Sequence, residues 1–143
     1  MDRTAVALQV FDNKFNCAQA VFSAFAEDLG LDKETAYKVA GCFGGGMRCG
    51  EVCGAVSGAL MALGCKYGQT LPGDTAAKEL ASKKAVEFIE LFKARNGSIL
   101  CKELLGYNLS LPEEMKILKD KNLFATVCPR VITDAVKIAG DVL

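Results

Sequence analysis

The sequence contains no histidine among its 143 residues. This absence excludes Ser-His-Asp and Cys-His catalysis, together with every metal site that uses an imidazole ligand. A Rieske-type iron–sulfur centre is excluded for the same reason. Ser57 has no histidine to activate it, so a serine nucleophile is not expected. The roles that remain possible are metal binding by thiolates, thiol redox chemistry and a purely structural role for the thiols.

Net charge, a secretory signal and a long apolar run are also missing. Seventeen basic residues balance seventeen acidic ones, whereas nucleic acids and anionic membranes usually select a basic face. The N-terminus has no basic start followed by an apolar core. The longest apolar run, residues 52–65, is too short and too rich in glycine to span a bilayer. We therefore expect a cytoplasmic protein with neither nucleic-acid nor membrane partners.

Cysteine, in contrast, is abundant, with seven residues in a short chain. An odd number of cysteines without an export signal argues against a framework of structural disulfides. The cysteine content therefore points to metal binding, redox chemistry or buried structural thiols.

A glycine-rich stretch, residues 41–58, holds three of the seven cysteines and seven of the fourteen glycines. Glycine loses much backbone entropy on folding, so such a stretch indicates close backbone approach or positive φ angles. We therefore expect the candidate site here, lined by the glycines Gly44, Gly45, Gly46 and Gly54. The stretch matches neither the P-loop nor the dinucleotide fingerprint, which disfavours nucleotide binding. Arg48 is expected to be a solvated loop charge; the alternative is a partner for an anion or a thiolate.

Apolar residues recur at helical spacing on both sides of this stretch, and no segment shows strand-like alternation. We predict an all-α single domain over residues 1–143, a bundle of about six helices with the glycine- and cysteine-rich loop at its centre. The main helices are expected at residues 16–29, 32–40, 50–66 and 74–96 and from Cys128 onward. Shorter helices are expected at residues 1–10, near 98–106 and from Ser110.

Small residues recur every fourth position from the loop into the helix expected at residues 50–66: Gly46, Gly50, Gly54, Gly58 and Ala62. From Gly50 onward they predict a smooth helix face that another backbone or a flat ligand can approach closely. Tight helix packing across a homodimer is one expected use of this face.

Four cysteines fall at or near the starts of predicted helices: Cys17, Cys53, Cys101 and Cys128. The partial positive charge and free N–H groups of a helix N-terminus favour a thiolate, so a low pKa is expected for each. If the four helix starts converge, they form a pocket of activated sulfur. Cys49 would share a helix face with Cys53 if that helix extends far enough. Cys65, late in an apolar helix, is expected in the core.

An ordered set of motifs resembles the family of redox-active proteins named for the cysteine pattern C_GCAxxG_C_C. The set consists of Asn16-Cys17-Ala18-Gln19-Ala20-Val21, Phe43-Gly44-Gly45-Gly46-Met47, Cys53-Gly54-Ala55-Val56-Ser57-Gly58, Asn96-Gly97-Ser98, Cys101-Lys102-Glu103-Leu104-Leu105-Gly106 and Cys128-Pro129. The family name writes Gly before Cys, whereas Cys53 precedes Gly54 here. The chain also departs from the pattern by carrying Cys42, Cys49 and Cys65.

The resemblance implies that the family's four characteristic cysteines are Cys17, Cys53, Cys101 and Cys128. It also implies redox activity, with an iron–sulfur cluster or another prosthetic group, and a similar domain occurs in split-Soret cytochromes. Covalent c-type haem is excluded for this chain, because it has no C-x-x-C-H.

Four functional hypotheses follow. The first is electron transfer or redox sensing through an iron–sulfur cluster or other metal held by Cys17, Cys53, Cys101 and Cys128, with an unidentified redox partner protein. The second is metal-free thiol–disulfide chemistry, in which Cys53 attacks and Cys49, Cys17 or Cys101 resolves. The third is a structural zinc site made of four thiolates. The fourth is an all-α interaction module whose thiols are merely buried.

Overall fold

The computed structural model describes residues 2–143, which form nine α-helices and no β-strand. The helices are α1 (Arg3–Asp12), α2 (Cys17–Ala26), α3 (Lys33–Ala40), α4 (Gly54–Tyr67), α5 (Thr75–Asn96), α6 (Cys101–Leu105), α7 (Pro112–Asp120), α8 (Leu123–Thr126) and α9 (Cys128–Val142). The all-α prediction is confirmed. The number of helices exceeds the expected six or so, and the four-residue helix α8 is one that the sequence pattern did not predict. Met1 of the helix expected at residues 1–10 lies outside the described residues.

Helix α2 is the centre of the core and packs against α1, α3, α4 and α9. Its fully buried side chains include Val21, Phe22 and Phe25. The helix begins with a capping box, in which Asn16 accepts a hydrogen bond from the Gln19 backbone N–H (2.8 Å) and the Gln19 side chain accepts one from the Asn16 N–H (2.9 Å). This reciprocal pair fixes the start of the helix, and therefore Cys17, at one position.

Two glycines of α4 allow α2 to lie unusually close. A Cβ on Gly58 would stand 2.6 Å from the Ala18 carbonyl oxygen, and one on Gly54 would overlap the Cys17 sulfur. The smooth face of α4 is therefore covered by α2 of the same chain. Gly50 is not part of this face, because the helix begins at Gly54 and not at residue 50 as expected. A homodimer stays a prediction, and this face of α4 does not support it because α2 already covers the face.

The C-terminal half of the chain closes the core and adds a smaller apolar cluster. Helix α5 packs against α4 and α9 and buries Phe88 and Phe92. Cys101, Leu105, Leu109 and Leu118 form the buried part of the second cluster, against which Phe124, Val127 and Cys128 pack. One side of this cluster forms a wall of the cavity described below.

The glycine loop, residues 41–53, is tied to the start of α6. The Cys53 N–H donates to the Ile99 carbonyl and the Cys101 N–H donates to the Glu51 carbonyl, each at 2.7 Å. These bonds flank an isolated antiparallel bridge between Val52 and Leu100. They hold Cys53 and Cys101, which are far apart in sequence, on adjacent backbone segments.

Four consecutive residues of this loop have positive φ angles between 59° and 65°: Gly45, Gly46, Met47 and Arg48. We call residues 45–48 the left-handed turn. Only glycine adopts this backbone region without steric cost, so Met47 and Arg48 are strained there. The turn reverses the chain sharply, and the Glu51 N–H then closes it by donating to the Gly46 carbonyl (3.0 Å).

Two further expectations concern burial and membranes. Cys65 is exposed, so its expected place in the core is wrong: α4 buries Ala62 and Leu63, whereas Cys65 lies on the solvent-facing side of its last turn. Within residues 2–143, no helix combines the length and apolar character needed to cross a membrane.

Candidate functional site

A cavity of about 150 Å³ lies between the glycine loop and the helices α2, α4, α6, α8 and α9. All four of the cysteines at helix starts line it: Cys17, Cys53, Cys101 and Cys128. A cavity of this volume is large enough for a molecule of about the size of benzene. Most of the remaining wall is apolar, with Phe11, Leu104, Leu105, Leu109, Phe124, Val127 and Val131. The structure thus brings together four thiols that are separated by more than a hundred residues of sequence.

Each thiol lies at the start of a different helix. Cys17, Cys101 and Cys128 are the first residues of α2, α6 and α9, and Cys53 directly precedes α4. Cys53 and Cys101 are buried, whereas Cys17 and Cys128 are partly exposed. Free backbone N–H groups at helix starts point outward along the helix axis, so several of them are available to the sulfur atoms.

Cys17 and Cys53 line the same cavity, and the Cys17 sulfur lies against Gly54, the residue that follows Cys53. Interaction with the Cys53 side chain is the main reason that the pKa of Cys17 falls to about 7, against the opposing effect of burial. Backbone N–H groups of Gly45, Ala18 and Cys17 itself lower that pKa further. Because the thiolate is the reactive form of cysteine, Cys17 is the activated thiol of the cavity.

The other three cysteines are not activated, which corrects the expectation of a low pKa at every helix start. The pKa of Cys53 is raised by its interaction with the Cys17 side chain, by burial and by the negative charge on Cys17. Burial, followed by the charge on Cys17, raises the pKa of Cys101 to about 11 and that of Cys128 to about 12. Loss of hydration therefore outweighs the helix N-terminus at these sites.

The four glycines expected to line the site divide into two groups. Gly45 and Gly54 line the cavity, whereas Gly44 and Gly46 are not part of its wall. A Cβ on Gly44 would stand 2.5 Å from the Cβ of Asn16. One on Gly46 would stand 2.5 Å from the Glu51 nitrogen and 2.8 Å from the Cys101 Cβ. These two glycines therefore support the site by letting the loop pack against the starts of α2 and α6.

Cys49 does not join the other thiols. Its side chain is exposed, its thiol donates to the Gly46 carbonyl (3.4 Å), and it is absent from the cavity wall. Because α4 begins only at Gly54, Cys49 and Cys53 do not share a helix face. A reactive role for Cys49 stays a prediction that this geometry does not support.

The arrangement is not a preformed metal site. Within residues 2–143, no three cysteine or carboxylate side chains are grouped closely enough to hold a metal ion. A structural zinc site or an iron–sulfur cluster usually uses four thiolates around one centre. The cavity contains the right ligand type and number, but its thiols do not stand in ligating positions.

The sequence reasoning missed several residues of the cavity wall. Asn16 and the two aromatic residues Phe11 and Phe124 line the cavity. The capping pattern Asn16-x-x-Gln19 is readable in the sequence, but nothing in it shows that the cap faces a cavity. Phe124 belongs to the four-residue helix α8, which no periodic pattern reveals.

Comparison with known proteins gives one match. Residues 15–142 match a family described as "Putative redox-active protein (C_GCAxxG_C_C)". The matched region contains all four cysteines that line the cavity. No curated protein and no solved structure matches the chain.

Proposed function

The chain belongs to the C_GCAxxG_C_C family, and from that premise we propose that it works as a reversible dithiol–disulfide couple formed by Cys17 and Cys53. The placement of both thiols in one cavity, with the Cys17 sulfur against the residue that follows Cys53, is the observation that carries the proposal. A thiolate with a pKa of about 7 beside a protonated thiol is the arrangement from which thiol–disulfide exchange starts.

The reaction begins with attack by the Cys17 thiolate on one sulfur of a small disulfide. A bond forms between Cys17 and that sulfur, the substrate S–S bond breaks, and the other half leaves as a thiolate. The Cys53 thiol gives up its proton to this leaving group. Its thiolate then attacks the Cys17 sulfur and releases the second half of the substrate as a thiolate. Two electrons have passed from the protein to the substrate, and Cys17 and Cys53 are joined.

The assignment of Cys17 as the attacking residue reverses the roles expected from the sequence. Interaction with Cys17 and burial raise the pKa of Cys53, so Cys53 keeps its proton and suits the resolving step. Interaction with Cys53 and with nearby backbone N–H groups lowers the pKa of Cys17, because it stabilises the negative charge on that sulfur. Its partial exposure at the cavity also gives a substrate access that the buried Cys53 lacks.

The test is the oxidation of the reduced protein in buffers of defined glutathione potential. We expect a reversible loss of two thiols per chain, assigned to Cys17 and Cys53 by differential alkylation and peptide mass spectrometry. Cys17→Ser and Cys53→Ser should each abolish it. Cys65→Ser is the matched control, because Cys65 is exposed on the last turn of α4 and should leave the couple intact. Oxidation of other cysteine pairs, or of none, would contradict the proposal.

A second candidate function is metal or cluster binding by Cys17, Cys53, Cys101 and Cys128, in the service of electron transfer or redox sensing. The convergence of four thiols on one cavity favours it, although the thiols would have to move to ligate one centre. Anaerobic purification followed by a visible spectrum and iron, sulfide and zinc analysis tests it. Iron with sulfide, or zinc, that is lost in Cys128→Ser would support this candidate over the dithiol couple, which does not use Cys128.

A further inference from the structure

The cavity wall contains one charged residue, Arg48, among the residues that the structure describes. Every other lining side chain is apolar, a thiol or the amide of Asn16. Across residues 2–143, the Arg48 guanidinium takes part in no ion pair and no side-chain hydrogen bond, unlike Arg3, which pairs with Asp28 (3.1 Å). A free guanidinium beside an apolar cavity is a binding group for an anion, because it offers a planar fork of donors.

The left-handed turn places this guanidinium in the same cavity wall as the activated sulfur. The Nη1 atom of Arg48 lies 3.2 Å from the position that a Cβ on Gly45 would occupy. Gly45, Arg48 and Cys17 all line the cavity of about 150 Å³, so a short molecule bound there can contact both Arg48 and Cys17.

The backbone strain of the turn is consistent with a role for the side chain that it carries. Arg48 has φ 62° and ψ 11°, a conformation that a non-glycine residue rarely adopts. With glycine at this position the backbone would be relaxed, but the cavity would have no cation. The sequence retains the strained residue and thereby the charge.

We propose that Arg48 determines the substrate class of this site: its guanidinium receives the anionic group, such as a carboxylate, of a small thiol or disulfide whose sulfur meets Cys17. The reaction part of this inference rests on the proposed dithiol chemistry. The preference for an anionic ligand does not, because it is a property of the reduced cavity alone.

The binding preference can be measured without any disulfide. Iodoacetate and iodoacetamide differ only in a carboxylate against an amide, and both alkylate a thiolate by displacing iodide. The Cys17–carbon bond forms while the carbon–iodine bond breaks. The ratio of the two rates at Cys17, followed by peptide mass spectrometry and calibrated on the unfolded chain, reports the attraction of an anion to the site.

We expect Arg48→Gln to lower this ratio roughly tenfold, the effect of one charge-assisted hydrogen bond. Arg48→Lys should restore part of it. Arg130→Gln is the matched control: Arg130 is exposed two residues after Cys128 but is absent from the cavity wall. An unchanged ratio in Arg48→Gln would overturn the proposal and leave Arg48 a solvated loop charge. An equal fall of the ratio in Arg130→Gln would also overturn the proposal, because the loss of any nearby positive charge would then lower the ratio.

A series of disulfides with short arms separates this proposal from the dithiol couple. Dithiodiglycolate is anionic, bis(2-hydroxyethyl) disulfide is neutral and cystamine is cationic. We expect Cys17–Cys53 oxidation to be fastest with the anionic compound, with the preference lost in Arg48→Gln. Equal rates for all three compounds would refute the role of Arg48 while leaving the couple established. If none oxidises the pair, the couple fails, and the alkylation ratio still decides the role of Arg48.

Discussion

The α-carbon of Gly54 lies against the sulfur of Cys17, so closely that a methyl group on Gly54 would overlap that sulfur. The position of the activated thiol is therefore set by a missing side chain on the facing helix. Cys53 immediately precedes this glycine, so the same turn of backbone that makes room for the Cys17 sulfur also places Cys53 beside it. The spacing of the two thiols therefore depends on the absence of a side chain at Gly54.

Gly54→Ala should displace the Cys17 sulfur and destabilise the fold. We expect a loss of about 1–3 kcal/mol in unfolding free energy, as for overpacking of a dense core, together with a rise in the pKa of Cys17 as its sulfur moves away from Cys53. Urea denaturation under reducing conditions measures the first effect, and the alkylation rate of Cys17 measures the second.

Gly64→Ala is the control on the same helix. Nothing lies within 4 Å of a Cβ at Gly64, so the added methyl group should stabilise α4 by about 0.5–1 kcal/mol. If Gly54→Ala is equally harmless, the close approach of α2 and α4 is not what positions the thiol.

The reactivity of Cys17 should titrate near neutral pH. With a pKa of about 7, the thiolate persists to a lower pH than an ordinary cysteine allows. The iodoacetamide rate at Cys17 should be half-maximal near pH 7 and fall about tenfold per unit below pH 6. Cys53→Ala removes the main cause of the shift while burial remains, so the midpoint should move upward. A midpoint that does not move in this variant would exclude the Cys53 side chain as the cause of the lowered pKa.

The same experiment distinguishes the four cavity cysteines. Burial raises the pKa of Cys101 to about 11 and of Cys128 to about 12. We therefore expect both to stay unmodified at pH 8 while Cys17 is alkylated. Rapid labelling of either one in the folded protein would contradict the raised pKa that its surroundings give it.

Met47→Gly should stabilise the protein. Met47 has φ 59°, and its side chain is 46% exposed, so the change relieves backbone strain and removes little buried surface. Relief of about 1–2 kcal/mol, reduced by the greater freedom of glycine in the unfolded chain, leaves a net gain of about 0.5–1 kcal/mol. Urea denaturation measures it. Leu71→Gly is the control: Leu71 is 65% exposed but has no positive φ, so it should show no gain.

Asn16→Ala should cost more than loss of a simple helix cap. Asn16 caps α2 and also donates to the carbonyl of Gly41 at 3.2 Å and to that of Ala40 at 3.4 Å. We expect a loss of about 2 kcal/mol, more than for Asp32→Ala, which removes only the exposed cap of α3. Thermal unfolding of both variants makes the comparison. Equal losses would mean that the link from Asn16 to the loop contributes nothing.

Much of the fold was readable from local sequence patterns. The helix starts at Cys17, Cys101 and Cys128 follow from capping residues, apolar spacing and proline, all of which act within one turn of the chain. The start of α4 was placed too early, because glycines and small residues continue the helical spacing through a segment that forms the left-handed turn. The positive φ angle of Met47 could not be predicted, because methionine has no preference for that backbone conformation.

The sequence by itself determined the all-α class, the family and the set of cysteines that stand at helix starts, since each depends on short-range patterns. Only the tertiary structure decided which of those thiols is activated, because the pKa of each depends on burial and on neighbours distant in sequence. Cys53 and Gly45 lower the pKa of Cys17, whereas burial raises the pKa of Cys101 and Cys128. It likewise decided that the smooth face of α4 meets α2 of the same chain. Desolvation and close packing are properties of the assembled core, and no local pattern contains them.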